Sequence, residues 1–202
     1  MSEVQEHGNK FEDLKIKELT GLSKKEYDKL KPNGYTSPFD LVEGIIVSYN
    51  ASIKSTGRNS VDCADILKRM EQKEYRLIVG CYNQKGSNKV FYAEYEFFIT
   101  PDDYTKLWGT MTYEGVEPFV NYVKNIPHGR EAQRSTSKNR KILKEQVQCK
   151  NSLMKINPKV DSKKQRRVQC SFNIDKMLSS GIKYIKKDIN ISIQSSRRKF
   201  NK

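Results

Sequence analysis

Apolar positions recur at helical spacing near the start of the chain and cluster at strand spacing in its middle. Residues 8–20, GNKFEDLKIKELT, place Phe11, Leu14 and Leu19 near one face, with Glu12 and Asp13 in the first turn, where a helix dipole favours acids. Gly21 stops this helix. Ser23 caps a second one over Lys24–Leu30, with Glu26 three residues on completing a capping box, and Pro32-Asn33-Gly34 ends it in a turn. The apolar runs Phe39–Val42, Ile45–Ser48 and Ala51–Ser55 predict a hairpin. A loop over 56–60 leads to a third predicted helix, about 61–72, capped by Asn59 or Ser60, with Val61, Ile66, Leu67 and Met70 facing the core. Tyr75–Tyr82 and Val90–Ile99 are β-rich runs around a turn-rich loop at 83–88.

The second half patterns differently. Pro101-Asp102-Asp103 opens a helix that includes Trp108, and Glu114–Asn125 predicts another, carrying Val116, Phe119, Val120 and Val123. Gly129–Lys144 is a basic run expected to be helical towards its C-terminal end. Leu153–Pro158 and Arg167–Ile174 predict two strands around the basic segment 159–166. Residues 182–202 predict a strand and a frayed basic tail. No internal repeat or low-complexity linker divides the chain. The expectation is an α/β (α+β) protein of one domain, residues 1–202, whose first hundred residues build a mixed sheet flanked by helices.

Composition narrows the class. Hydrophobic residues make up 36% and charged residues 31%, and one Trp, 11 Tyr and 8 Phe still allow a core. No apolar run approaches membrane-spanning length, and the polar, acidic N-terminus is not expected to be a signal peptide. The four cysteines are widely spaced without a CxxC pair, which fits reduced thiols in an intracellular protein better than zinc or a disulfide framework. Charge is more informative. Residues 1–100 hold 15 Lys and Arg against 15 Asp and Glu; residues 101–202 hold 23 against 9, so the whole excess of +14 lies in the second half. A chain neutral in one half and basic in the other is expected to present a surface to a polyanion, and nucleic acid is the leading one.

The chemistry centres on Pro38–Lys54, PFDLVEGIIVSYNASIK. A hairpin over this stretch brings Asp40 beside Lys54, and an acid and a lysine held together can bind a divalent cation and steady a phosphate. With Asp40 as the acid and Ser52-Ile53-Lys54 as the following strand, residues 6–100 resemble the PD-(D/E)xK nuclease family. The resemblance implies a restriction-endonuclease-like mixed sheet core. It implies Mg2+, or Mn2+ in its place, held by acids and by the main-chain carbonyl of the residue before the lysine, here Ile53. It implies Lys54 close to the attacking water and the scissile phosphate. The chain departs from the pattern at Ser52, where the family carries an acid, and serine is a poor magnesium ligand beside a carboxylate. Glu12, Glu43, Asp62 and Asp65 are the candidates to fill the gap. Glu12 is preferred, because in several relatives a glutamate of the first helix reaches the same metal.

The basic half supplies the binding expectation. Arg130, Arg134, Lys138 and Lys141 recur every three or four residues, so one helix would line them on one side. His128 precedes them as a phosphate-side contact. Lys159, Lys163, Lys164, Arg166 and Arg167 crowd a hairpin tip near Gln165 and Gln169; either Arg166 or Arg167 reads bases in a major groove, or the basic loops steer phosphates without reading sequence. The leading expectation is a metal-dependent, sequence-specific endonuclease of restriction type acting as a homodimer on double-stranded DNA. The alternatives are a nucleic-acid-binding protein without catalysis and a repair or junction nuclease of the same superfamily.

Overall fold

The structure, a computed structural model, describes residues 3–32, 34 and 37–194, with side chains described from Lys10 onward. Asn33, in the expected Pro32–Gly34 turn, and the basic tail beyond Gln194 lie outside the described residues. The elements run α1 (Glu3–Thr20), α2 (Lys24–Leu30), β1 (Ala51–Thr56), β2 (Ser60–Asp65), α3 (Ile66–Met70), β3 (Tyr75–Lys85), β4 (Asn88–Ile99), α4 (Tyr104–Trp108), α5 (Tyr113–Lys124), α6 (Arg130–Ser135), α7 (Ser137–Val147), β5 (Lys155–Val160), β6 (Arg166–Asn173), α8 (Ile174–Leu178) and β7 (Tyr184–Gln194). This is a mixed α+β protein with two sheets among the described residues. No helix among them is long and apolar enough to cross a membrane. The chain forms two compact units, one of Met1–Val61, Glu74–Ile99 and Ile182–Lys202, the other of Asp62–Lys73 and Thr100–Gly181.

The first unit is built on a four-stranded sheet in the order β1-β3-β4-β7. β1 runs parallel to β3, while β3–β4 and β4–β7 are antiparallel. The β3 and β4 strands extend further than the apolar runs suggest and meet in a tight turn at Gly86-Ser87, with Gly86 at φ 58°. α1 packs on one face of this sheet. Phe11 stacks on Phe91 of β4 with ring centroids 4.6 Å apart, and Ile16 joins Ile53, Ile78 and Ala51 in the same buried cluster. One helical turn beyond Phe11, the buried Lys15 reaches Glu94 of β4 at 2.9 Å. An aromatic contact and a buried ion pair therefore fix both the rotation and the height of α1. Glu12 is consequently turned away from the sheet centre. α2 begins with the expected capping box: Ser23 accepts from the Glu26 N–H and Glu26 accepts from the Ser23 N–H. Its Tyr27 is fully buried, and the phenolic oxygen accepts from the Val42 N–H at 2.9 Å.

Two expected elements differ. The run Phe39–Val42 is not a full strand. It meets β1 through one bridge, Leu41 with Ala51, and a second bridge joins Glu43 and Val47. Gly44, at φ 83°, turns the chain back after only two residues of ladder. The third helix is shorter than expected, because residues 60–65 are the strand β2. Their burial alternates, with Val61 and Cys63 in and Ser60, Asp62 and Ala64 out. The apolar positions 61, 66, 67 and 70 mimic helical spacing only because a strand ends and a helix begins between them, at Ala64 (φ 66°) and the N-cap Asp65.

β2, which belongs to the second unit from Asp62 onward, forms a three-stranded sheet with β6 and β5 in the order β2-β6-β5. The expected basic helix is two helices. Thr136, at their junction, turns its hydroxyl back to the Ala132 carbonyl at 2.6 Å, a local bond that competes with helix continuation.

The closest approach in the first unit lies at Gly80 of β3, where an added methyl would stand 2.5 Å from the Phe11 ring. Phe11 is buried and stacked and has no room to yield. Gly80→Ala should lower stability by about 1–3 kcal/mol through overpacking, measured by urea unfolding. Gly86→Ala, at a turn with open space, serves as the contrast that costs backbone strain alone.

Candidate active site

β1 is an edge strand, so alternate residues turn their main-chain groups away from β3. At Ala51 these groups go to residues 40 and 41: the Asp40 and Leu41 N–H groups donate to its carbonyl, and its own N–H donates to Leu41. That exchange places the Asp40 side chain two residues further along, at Ile53. Asp40 Oδ2 accepts from the Ile53 N–H at 2.7 Å and from Lys54 Nζ at 3.0 Å. Lys54 Nζ also donates to the Ile53 carbonyl at 3.0 Å. The acid, the lysine and the intervening carbonyl are thus joined at the free edge of β1. Both side chains are partly buried, Asp40 21% and Lys54 22% exposed.

Glu12 completes the group from α1. Its carboxyl lies within electrostatic reach of that of Asp40 and pairs with Lys24 of α2 at 2.8 Å. Burial first, and then the Asp40 charge, raise Glu12 to about 7. Burial acts against the ionised form of Asp40 as well, but the Lys54 ammonium and the Ile53 N–H outweigh it and hold this carboxyl below its ordinary value. The two neighbouring acids are thus pushed in opposite directions, Glu12 towards its neutral form and Asp40 towards its ionised one.

The other candidates lie elsewhere. Glu43 is exposed on the turn before Val47. Asp62 faces Lys159 at 3.8 Å, and Asp65 caps α3 by accepting from the Lys68 N–H. Ser52 is fully buried on β1, on the strand face opposite Ile53 by alternation. Lys24 was not foreseen. It carries no motif signal, and only the packing of α2 against α1 brings it to Glu12.

Among the described residues no three His, Cys, Asp or Glu side chains gather as a metal site. The oxygens gathered here are two carboxylates and one main-chain carbonyl, a hard donor set that suits Mg2+ or Mn2+ rather than a soft transition metal. In this arrangement the Lys54 ammonium donates to Asp40 and to the Ile53 carbonyl, so a cation held by these oxygens would compete with it.

The basic residues of the second unit are placed as follows. His128, Arg130, Arg134, Lys138, Lys141, Lys163, Lys164 and Arg167 are exposed, and Lys159 is half-buried beside Asp62. Arg130 and Arg134 lie on α6, Lys138 and Lys141 on α7, so the four do not share one helix. Arg166 departs from the expected role of base reader: its guanidinium is spent on main-chain carbonyls at Ile126, Pro127, Asp161 and Gln165. Set against protein-family models, curated proteins and solved structures, the chain matches none.

The raised Glu12 has a thermodynamic signature. The unfolded chain loses this proton near 4.5 and the folded chain near 7, so the stability that Glu12 itself contributes is fully present below 4.5 and is lost as pH rises through 7. Glu12→Gln removes that loss. Without metal, its melting temperature should exceed that of the wild type at pH 8, and the gap should shrink at pH 5. Thermal melts across this range check the sign.

Proposed function

We propose that the chain is a metal-dependent nuclease that hydrolyses phosphodiester bonds of double-stranded DNA. On this reading its first unit has a restriction-endonuclease-like core. The observation that carries it is the meeting of Glu12, Asp40, the Ile53 carbonyl and Lys54 at one strand edge, from separate points along residues 12–54. Glu12, Asp40 and the Ile53 carbonyl would hold Mg2+ or Mn2+, which when bound supplies neutralisation of phosphate charge and acidification of water. Asp40 is already ionised for that task. Glu12, raised to about 7, would hold the cation in its ionised form, so metal affinity should rise with pH through about 7. Lys24 keeps the Glu12 carboxylate oriented from the far side. Lys54 has two partners to leave before its ammonium can serve elsewhere, and once released it would be a cationic group beside a phosphate brought to the β1 edge. A symmetric pair of chains accounts for cutting both strands, one site to each.

One observation favours a second reading. The ion pair of Lys54 with Asp40 is complete without a cation, which suits a nucleic-acid-binding protein with no cleavage. Repair and junction nucleases would share the chemistry and differ in substrate.

Supercoiled plasmid, linear duplex and a four-way junction, each with and without Mg2+, separate these readings. Metal-dependent cutting is expected, and Asp40→Ala should abolish it while leaving the gel shift unchanged. Lys54→Ala should lower the cleavage rate by about 10²–10³-fold. The same variant should bind the metal at least as tightly as wild type, read as the metal-induced rise in melting temperature, because the competing ammonium is gone. A wild-type chain that shifts DNA but cuts none of the three substrates leaves the binding reading in its place.

A further inference from the structure

The second unit joins two basic segments that are thirty residues apart in sequence. The loop between β5 and β6 is ordered by its own side chains: Asp161 Oδ1 accepts from the Lys163 N–H at 2.8 Å and from the Gln165 N–H at 3.0 Å. Arg166 closes it from behind, donating to the carbonyls of Asp161 (2.8 Å) and Gln165 (2.7 Å). The same guanidinium reaches the carbonyls of Ile126 (2.9 Å) and Pro127 (2.5 Å), immediately before His128 and α6. A second tie runs from Gln133 of α6 to the Val160 carbonyl at 3.1 Å. Across the junction of α6 and α7, Arg140 donates to the Gln133 carbonyl at 2.7 Å. Every bond in this set joins a side chain to a main-chain group. The hairpin tip and the start of α6 are therefore fixed to each other, while Lys163, Lys164, Arg167, Arg130 and Arg134 remain exposed.

We propose that this clamped assembly is a preformed docking surface for duplex nucleic acid, in which Arg166 and Asp161 are positioning residues and the exposed cations make the contacts. A two-stranded ribbon tip is narrow enough for a major groove. Gln165 and Arg167 stand beside it with donors that can address base edges, and the α6 arginines lie where a phosphate backbone would pass. The acids on this surface are Asp161, engaged with the loop N–H groups, Glu131 on α6, and Asp62, which faces Lys159. A membrane surface is the poorer partner. The exposed large apolar side chains among the described residues are Leu30, Ile46, Tyr92, Ile142, Tyr184 and Ile185, and none lies on the tip or on α6. A phosphate lattice of fixed spacing rewards fixed cations, because less side-chain and loop freedom is lost on binding. This inference is independent of cleavage, since it concerns binding in the absence of metal.

The test is fluorescence anisotropy of the full chain on a short DNA duplex in EDTA over a salt series, with melting curves confirming that each variant is folded. Asp161→Ala removes a negative charge from a positive surface. A patch acting by charge alone must then bind more tightly, whereas a preformed surface binds about tenfold more weakly once its loop is released. Arg166→Lys keeps the charge but cannot fork to four carbonyls. It should lose as much affinity as Arg166→Met, while Lys163→Ala lowers the salt slope by about 0.9. Tighter binding by Asp161→Ala, or wild-type binding by Arg166→Lys, overturns the clamp. Binding of phosphatidylserine vesicles as tight as binding of the duplex at equal salt overturns the choice of partner. If nuclease activity fails everywhere but these shifts appear, the docking surface stands on its own.

Discussion

The first unit depends on the outward-turned peptide of Ile53. An edge strand must find partners for half of its main-chain groups. Here β1 gives its Ile53 N–H to a carboxylate and its Ile53 carbonyl to an ammonium. This one residue fixes where Asp40 points, holds Lys54 over the strand edge and supplies the third oxygen of the cluster. Its own side chain is buried beneath α1, among Phe11 and Ile16. The packing that secures the helix and the polar bonds that build the site therefore meet in the same peptide, and movement of α1 would be felt at both.

At Glu12 such coupling carries a cost to stability above the pH at which this carboxyl ionises. A carboxyl pushed towards neutrality by burial and by a second acid is a poor structural element but a ready proton donor and cation ligand. Its neighbour Lys24 offsets part of that repulsion. The arrangement is tolerable because Lys15 and Glu94, a turn further along α1, are paired and nearly fully buried, anchoring the helix independently of the site.

Much of this could be seen in the residues themselves. The Ser23–Glu26 box follows from a local capping rule, and the nearness of Asp40 to Lys54 from the short doubled-back stretch that joins them. The preference for Glu12 rests on a family resemblance, and of the four candidate acids Glu12 is the one whose charge is felt at Asp40. Other features could not be read that way. Residues 61–65 carry apolar spacing compatible with either period, and only pairing with β6 selects the strand. Lys24 is one of many lysines until two helices pack. Arg166 and Arg167 are adjacent and identical in type, yet one is consumed by four carbonyls and the other is exposed, a difference set by a turn forty residues away in the chain.

The interleaving of the two units bears on how the protein is made. The strand β7, with Ile189, Ile191 and Ile193 against the core, follows the whole of the second unit in sequence. During synthesis at roughly 5–20 residues per second, the first unit waits several seconds with β4 as an uncovered edge before its last strand emerges. The long, aromatic-rich β4 is thus the segment most in need of protection on the ribosome, and the first unit cannot finish folding before the second has been translated.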